Sequence, residues 1–164
     1  MEQGKTLSGR EPFTPEEKAR RMQRHIGLSN YFTLLNMKLV DLEPGYALLE
    51  LPFRKEITHS GGVVQGGIIT TLADSSIAHA AVAALEDEAF STTTIELKIN
   101  FIRSATGGVF QSEARLIHLG RRTAVGEAEI TNDQGKLVAK CLSSLLIQSG
   151  SPPPPGGAQD SPKR

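Results

Sequence analysis

The chain has 164 residues, 18 Lys and Arg against 18 Asp and Glu, and a single cysteine. That length suits one domain with a real core, and a net charge of zero speaks against a general binder of nucleic acid or membrane surfaces. Cys141 alone cannot form an internal disulfide, as in a reducing compartment, and no apolar run follows the basic residues at the N-terminus as a secretory leader requires. The chain therefore reads as cytoplasmic.

Residues 1–13 are polar and expected to be flexible. Thr14 is a good N-cap, Pro15 suits the first helical position and Glu17 completes a capping box, so a helix is predicted to residue 27. Ala19, Met22 and Ile26 give it a narrow apolar stripe. Lys18, Arg20, Arg21 and Arg24 cover the rest, as a solvated face or, in a second reading, as contacts to ligand phosphates. Residues 28–36 suit a further helical turn. Residues 37–43 and 46–53 read as a β-hairpin about Pro44-Gly45, and a polar, Gly-containing loop covers 54–64.

Residues 65–85 read as one long helix, about 30 Å at 1.5 Å per residue. Ile69, Ala73, Ile77, Ala80 and Ala84 fall at helical spacing, and small or apolar residues cover most of the remaining circumference, the pattern of a buried helix. Asp74, His79, two Thr and two Ser make a membrane span costly. Acidic residues at 86–90 close the helix. Strands follow at 94–103, 110–118, 122–131 and 137–148. In the first, Ile95, Leu97, Ile99 and Phe101 share a face; in the second, Phe110, Ser112, Ala114, Leu116 and His118 do. The third gathers Ala124, Gly126, Ala128 and Ile130, small enough for a helix to lie close. Asn132-Asp133-Gln134-Gly135 is a hairpin turn, and the Pro/Gly-rich residues 149–164 are expected to be disordered.

These elements predict an α+β fold in which two strands and a four-stranded antiparallel meander curve round one buried helix. Such a sheet has open edges, and pairing with a second copy would cover them.

Several catalytic signatures are missing. Gly61 to Gly67 is not followed by the Lys-Ser/Thr of a phosphate loop, and there is no G-x-S-x-G elbow. The histidines at 25, 59, 79 and 118 lack metal-ligand spacing. What remains is the start of the long helix. Taken alone, Gly66 and Gly67 read first as glycines that permit close packing of helix on sheet; their N–H groups are also unshielded and lie among the unpaired donors of a helix N-terminus, an oxyanion site for acyl transfer. Asp74 is a carboxylate amid residues suited to burial, either functional or hydrogen-bonded to Thr70, Thr71 or a strand. It lies about 12 Å from Gly66 along the helix, so two chains reach one carbonyl more readily than one. His59 and Gln65 flank the loop. His79 reads as structural, and Cys141 as a small buried hydrophobe.

Three blocks in order, Gln65-Gly66-Gly67 with Leu72-Ala73-Asp74, then residues 94–103, then Gly120-Arg121-Arg122 with Val125, Glu127 and Glu129, resemble the hotdog-fold acyl-CoA thioesterases of the phenylacetic acid degradation type. The resemblance covers residues 30–148 within a domain expected at 14–148. It implies a helix wrapped by an antiparallel sheet, a homodimer or homotetramer, an acyl-CoA substrate, and no cofactor, metal, nucleic acid or membrane. It implies that Asp74 is general base on water or nucleophile. The Gly66 N–H would polarise the thioester carbonyl from the opposite subunit, and Thr94 would lie near the group holding the water. Gly67, Arg103, Arg121 and Arg122 are candidates for holding substrate, the two turn arginines suiting the phosphates of coenzyme A. The family usually has His where this chain has Gln65, and Asn or Gln where it has His59. An exchange of roles follows: His59 would contact the thioester or the water, and Gln65 would hold the loop. The rival readings are a non-catalytic acyl-CoA sensor and a dehydratase, whose His-and-acid motif is missing here.

Overall fold

The computed structural model describes residue 7 and residues 9–27, 30–85 and 90–149. The expectations for the chain ends at 1–6, 8 and 150–164, and for helix closure at 86–89, lie outside these residues. Helix α1 (Pro15–Gly27) starts as its sequence dictates: the Glu17 N–H donates to Thr14 Oγ1 at 3.2 Å, the N-cap half of a capping box. The Glu17 carboxylate turns instead to Arg21 Nε, 3.1 Å away. Arg21 is buried, with its guanidinium 4.8 Å from the Phe13 ring centroid. Lys18 Nζ lies 2.6 Å from both Asp41 and Glu43. Lys18 thus ties α1 to Asp41 and Glu43, and Arg21 is engaged by Glu17 and the Phe13 ring, so neither lies on a freely solvated face. Ala19 of the expected apolar stripe is exposed, while Met22 packs on the core.

Helix α2 (Asn30–Leu35) buries Phe32 and Leu35. Strands β1 (Lys38–Glu43) and β2 (Tyr46–Pro52) form the expected hairpin, turned by Gly45 at φ +84°, a conformation that favours glycine. Helix α3 (Gly66–Ala83) is followed by β3 (Phe90–Phe101), β4 (Val109–Leu119), β5 (Thr123–Thr131) and β6 (Leu137–Ser149). All six strands form one antiparallel sheet in the order β1-β2-β4-β5-β6-β3. The concave face packs on α3 through Ile69, Leu72, Ala73, Ile77, Ala80 and Ala81.

One expectation is corrected. β3 does not begin a meander; it lies at the far edge of the sheet against β6, with Phe90 opposite Ser149 and Phe101 opposite Ala139. Residues 102–108 therefore cross three strand spacings, about 14 Å, well within the reach of seven residues. Backbone hydrogen bonds tie the crossing to β6, to the loop ahead of α3 and to the residue after β2. Ile102 and Arg103 donate to Val138 O at 2.8 and 3.1 Å, Val64 donates to Ala105 O at 2.8 Å, and Phe53 donates to Gly108 O at 2.8 Å. A tight turn would leave the loop ahead of α3 without that Ala105 partner.

The small face of β5 behaves as its residues predict. Ala124 and Ala128 are buried, and a Cβ added at Gly126 would sit 2.7 Å from Ile77 Cγ2. Ser76 Oγ and Ser112 Oγ, 2.7 Å apart, pin the helix to β4 in the core. A register shift between Leu116 and His118 puts His118 on the exposed side, so it does not share the inward face with Leu116, because a bulge reverses the alternation. A second shift lies between Thr94 and Glu96. It turns Ile95, 58% exposed, away from the face that Leu97 and Ile99 share, whereas Phe101, 54% exposed, stays on that face at the strand's end, where its ring meets Gly66.

Candidate active site

The part-exposed residues Thr71, Asp74, Ala78 and Val82, with the exposed Gly67, run at helical spacing down one side of α3. Asp74 is on this stripe and faces the edge strand. Its Oδ1 accepts the hydroxyl proton of Thr94 at 2.6 Å, a short, charge-assisted hydrogen bond. The mid-helix carboxylate is thus neither fully buried nor unpartnered, and an oxygen remains for other chemistry.

The start of α3 forms a second group. Gln65 is the N-cap, with ψ 131° and no side-chain capping bond. Its carbonyl accepts the N–H of Ile68 at 2.9 Å, and its own N–H donates to Ile57 O at 2.9 Å. Gly66 and Gly67 are the first two helical residues, whose N–H groups have no carbonyl one turn behind them. The exposed His59 accepts the Gly61 N–H on Nδ1 at 3.0 Å. That bond fixes the tautomer, leaving Nε2 of the neutral ring to carry the proton.

His59, Gly66, Ile69, Phe101, Arg103 and Val138 line part of a cleft of ≈ 340 Å³. The Phe101 ring tip abuts the Gly66 backbone, 3.2 Å from where a Cβ would stand. Arg103 is held by a 2.6 Å bond from its Nη1 to Leu137 O. Phe101 is the residue that sequence reasoning passes over. Its signal was its place at the last strand position, two residues before Arg103, which sets both on one side of the strand end.

The predicted site residues therefore fall into two groups within one chain. His59, Gln65, Gly66, Gly67 and Arg103 gather at the start of α3, and Asp74 and Thr94 meet two helical turns on, about 12 Å away. Arg121 and Arg122 are exposed in the β4–β5 turn. The Arg122 carbonyl accepts the Ile147 N–H at 2.8 Å, which sets this turn at the Thr94 end of β6, opposite to Arg103. His79 is buried, its ring 5.2 Å from Phe32, and its Nδ1–H donates to Ser75 O at 2.7 Å. Burial lowers its pKa, partly offset by that bond. The Cys141 thiol is pushed up to about 11, first by burial and then by the charges of Asp74 and Glu96; it is neutral and inert at ordinary pH. Among the described residues no helix is long and apolar enough to cross a membrane.

Known proteins share this sheet, helix and sequence. The profile of the thioesterase superfamily matches residues 61–139. A protein of Saccharolobus solfataricus named "Putative esterase" is 37% identical over 116 residues, covering 71% of this chain and 81% of that protein. The 1,4-dihydroxy-2-naphthoyl-CoA hydrolase of Listeria monocytogenes is 26% identical over 113 residues, covering 69% of this chain and 89% of the other. The crystal structure of a thioesterase family protein from Silicibacter pomeroyi superposes with TM-score 0.75 at 26% identity, covering 80% of this chain and 98% of that one. The fold is the hotdog fold of thioester hydrolases. The chain belongs to the thioesterase superfamily and is a thioester hydrolase.

Proposed function

We propose that the chain hydrolyses acyl-CoA thioesters to free acid and coenzyme A, at a site that two copies complete. The observation that carries this reading is the separation of the acid from the helix-start amides within one chain, both lying along β3, a sheet edge. Edge strands pair readily. Two β3 strands paired antiparallel about a two-fold axis between Leu97 and Lys98 would set Thr94 of one copy opposite Phe101 of the other. Asp74 would then face the Gly66 amide of the second copy. The exposed Ile95 and Phe101 on that edge support such a pairing.

In this site the thioester carbonyl accepts the Gly66 N–H, and the helix dipole stabilises the oxyanion that forms. Asp74 attacks the carbonyl carbon itself or takes the proton of the attacking water, and Thr94 orients it. His59 offers its Nε2–H to the thioester, while Gln65 holds the loop through its backbone. Gly67 leaves the helix start open, and Arg103 of one copy, with Arg121 and Arg122 of the other, would meet the phosphates of coenzyme A. The CoA hydrolase among the relatives supports this substrate class.

The test is thiol release from a panel of acyl-CoAs, with Asp74→Asn and Gly66→Pro. Proline removes the N–H, suits the first helical position, and tolerates the extended backbone of Gln65 ahead of it. Each variant alone should lose about a hundredfold or more in kcat. Mixed after co-refolding, they should recover roughly a quarter of wild-type turnover, because half the dimers then hold one intact site. Full turnover in Asp74→Asn would overturn the acid's role. No recovery in verified mixed dimers would overturn the shared site, and acyl-CoA binding without release would make the chain a sensor.

A further inference from the structure

We infer that the Thr70 hydroxyl is a positioning residue for the Gly66–Gly67 peptide unit, and that it sets the Gly67 N–H beside the Gly66 N–H as a second donor to the thioester carbonyl. The inference deepens the hydrolase reading above and rests on it.

The start of α3 lacks the usual supports. Gln65 makes no side-chain capping bond, and no acidic residue stands in the first turn, so neither a cap nor a charge holds the amides. Two consecutive glycines, the residues with the most backbone freedom, carry those amides. The turn is held instead from its carbonyl side. Thr70 Oγ1 donates to Gly66 O at 2.9 Å, and Thr71 Oγ1 donates to Gly67 O at 2.9 Å. Each hydroxyl has one proton, so neither donates to Asp74. Bonds of this kind slightly destabilise a helix and bend it, so helix stability does not account for an adjacent pair.

The two bonds act on different amides. A carbonyl shares its rigid plane with the N–H of the next residue. The Gly67 carbonyl is therefore coupled to the Ile68 N–H, which already donates to Gln65 O at 2.9 Å. The Gly66 carbonyl is coupled to the Gly67 N–H, which belongs to the second helical residue and has no carbonyl one turn behind it. Gly67 is exposed, and nothing lies within 4 Å of where its Cβ would stand, so this amide is open to a ligand. The Thr70 bond fixes the plane of that unit and polarises its N–H. Adjacent amides at a helix start can hold one anion together, provided that both keep their direction.

The experiment uses Thr70→Val, Thr70→Ser and Thr71→Val in the full chain. Coenzyme A release is measured with the acyl-CoA that the wild type turns over fastest, and melting temperature and oligomeric state are recorded for each protein. The Gly67 and Ile68 amide resonances are followed by NMR in isotope-labelled protein. Valine keeps the β-branched shape and removes the donor. In Thr70→Val kcat should fall about 5- to 10-fold, short of the roughly hundredfold that follows loss of a donor itself, with KM little changed. Thr70→Ser should recover most of the rate. Thr71→Val removes an equal bond from the same turn and should lose less. The Gly67 resonance should move in Thr70→Val and return in Thr70→Ser, whereas Thr71→Val should move that of Ile68. These shifts support the positioning role even if no acyl-CoA is turned over, an outcome that counts against the hydrolase reading alone. A Gly67 resonance unmoved in Thr70→Val would overturn the inference. So would unchanged kcat in that variant of an active enzyme, or equal losses in the two valine variants, because the hydroxyls would then only stiffen the helix.

Discussion

Among the described residues Thr94 is the side chain hydrogen-bonded to the proposed catalytic acid, and Thr94→Val isolates that bond. The valine keeps the β-branched shape that suits the strand and removes the hydroxyl proton that Asp74 Oδ1 accepts at 2.6 Å. A hydrogen bond to a charged group contributes about 1.5–3 kcal/mol. Asp74 is part-exposed, so water replaces some of this, and a loss of about 1–2 kcal/mol in orienting the carboxylate is expected. At about 1.4 kcal/mol per factor of ten, kcat should fall roughly 5- to 30-fold, with KM for the acyl-CoA little changed. Thr94→Ser restores the donor and should recover most of the rate. Steady-state thiol release for the three proteins, alongside their melting temperatures, tests this. Unchanged kcat in the valine variant would refute the reasoning. So would a fall that the serine variant shares, because the loss would then follow from strand packing rather than from the hydroxyl.

Two further outcomes follow from the core. Gly126→Ala places a Cβ 2.7 Å from Ile77 Cγ2 and 3.2 Å from Leu116 Cδ2, in a region with no slack, and should cost about 1–3 kcal/mol as overpacking does; urea denaturation would show it as a lower midpoint at constant slope. His79 is held neutral by burial, its pKa below the ordinary 6.5. The unfolded chain therefore takes up the proton first on acidification, and the stability His79 contributes is present above about pH 6.5 and lost as pH falls through and below it. The drop in melting temperature between pH 7.5 and pH 5.5 should be smaller in His79→Phe than in the wild type.

Much of this molecule is legible in local pattern. The capped start of α1, the hairpin at Gly45, the long apolar helix and the small residues of β5 each depend on neighbours in sequence, and short-range physics is what a pattern records. The place of β3 is different. Its alternation marks a strand, but nothing within residues 94–103 says whether the partner is β4 or β6; hydrogen bonds of the crossing at 102–108 to residues 53, 64 and 138 decide it. The outward turn of His118 has a similar origin, because a one-residue bulge leaves no mark in an apolar count. The pairing of Lys18 and the burial of Arg21 were hidden because their carboxylate and carbonyl partners, Asp41, Glu43 and Leu85, lie 23 or more residues along the chain.

The same misplaced strand bears on the candidate site. With β3 next to β4, its edge would be covered within the chain, and Asp74 and Gly66 would be two unrelated features of one helix. At the far edge of the sheet, β3 carries both: the acid is hydrogen-bonded to Thr94, and Gly66 lies under Phe101 seven residues on. The acid and the amide stay about 12 Å apart along the helix, too far for one carbonyl to touch both. An antiparallel copy of the strand exchanges its ends, so each acid would meet the other chain's amide. Neither half of the chemistry need move for this to happen, because helix and strand already hold each in place. A hydrolase site divided in this way is formed by the act of pairing, and its activity should follow dimer concentration rather than the folding of single chains.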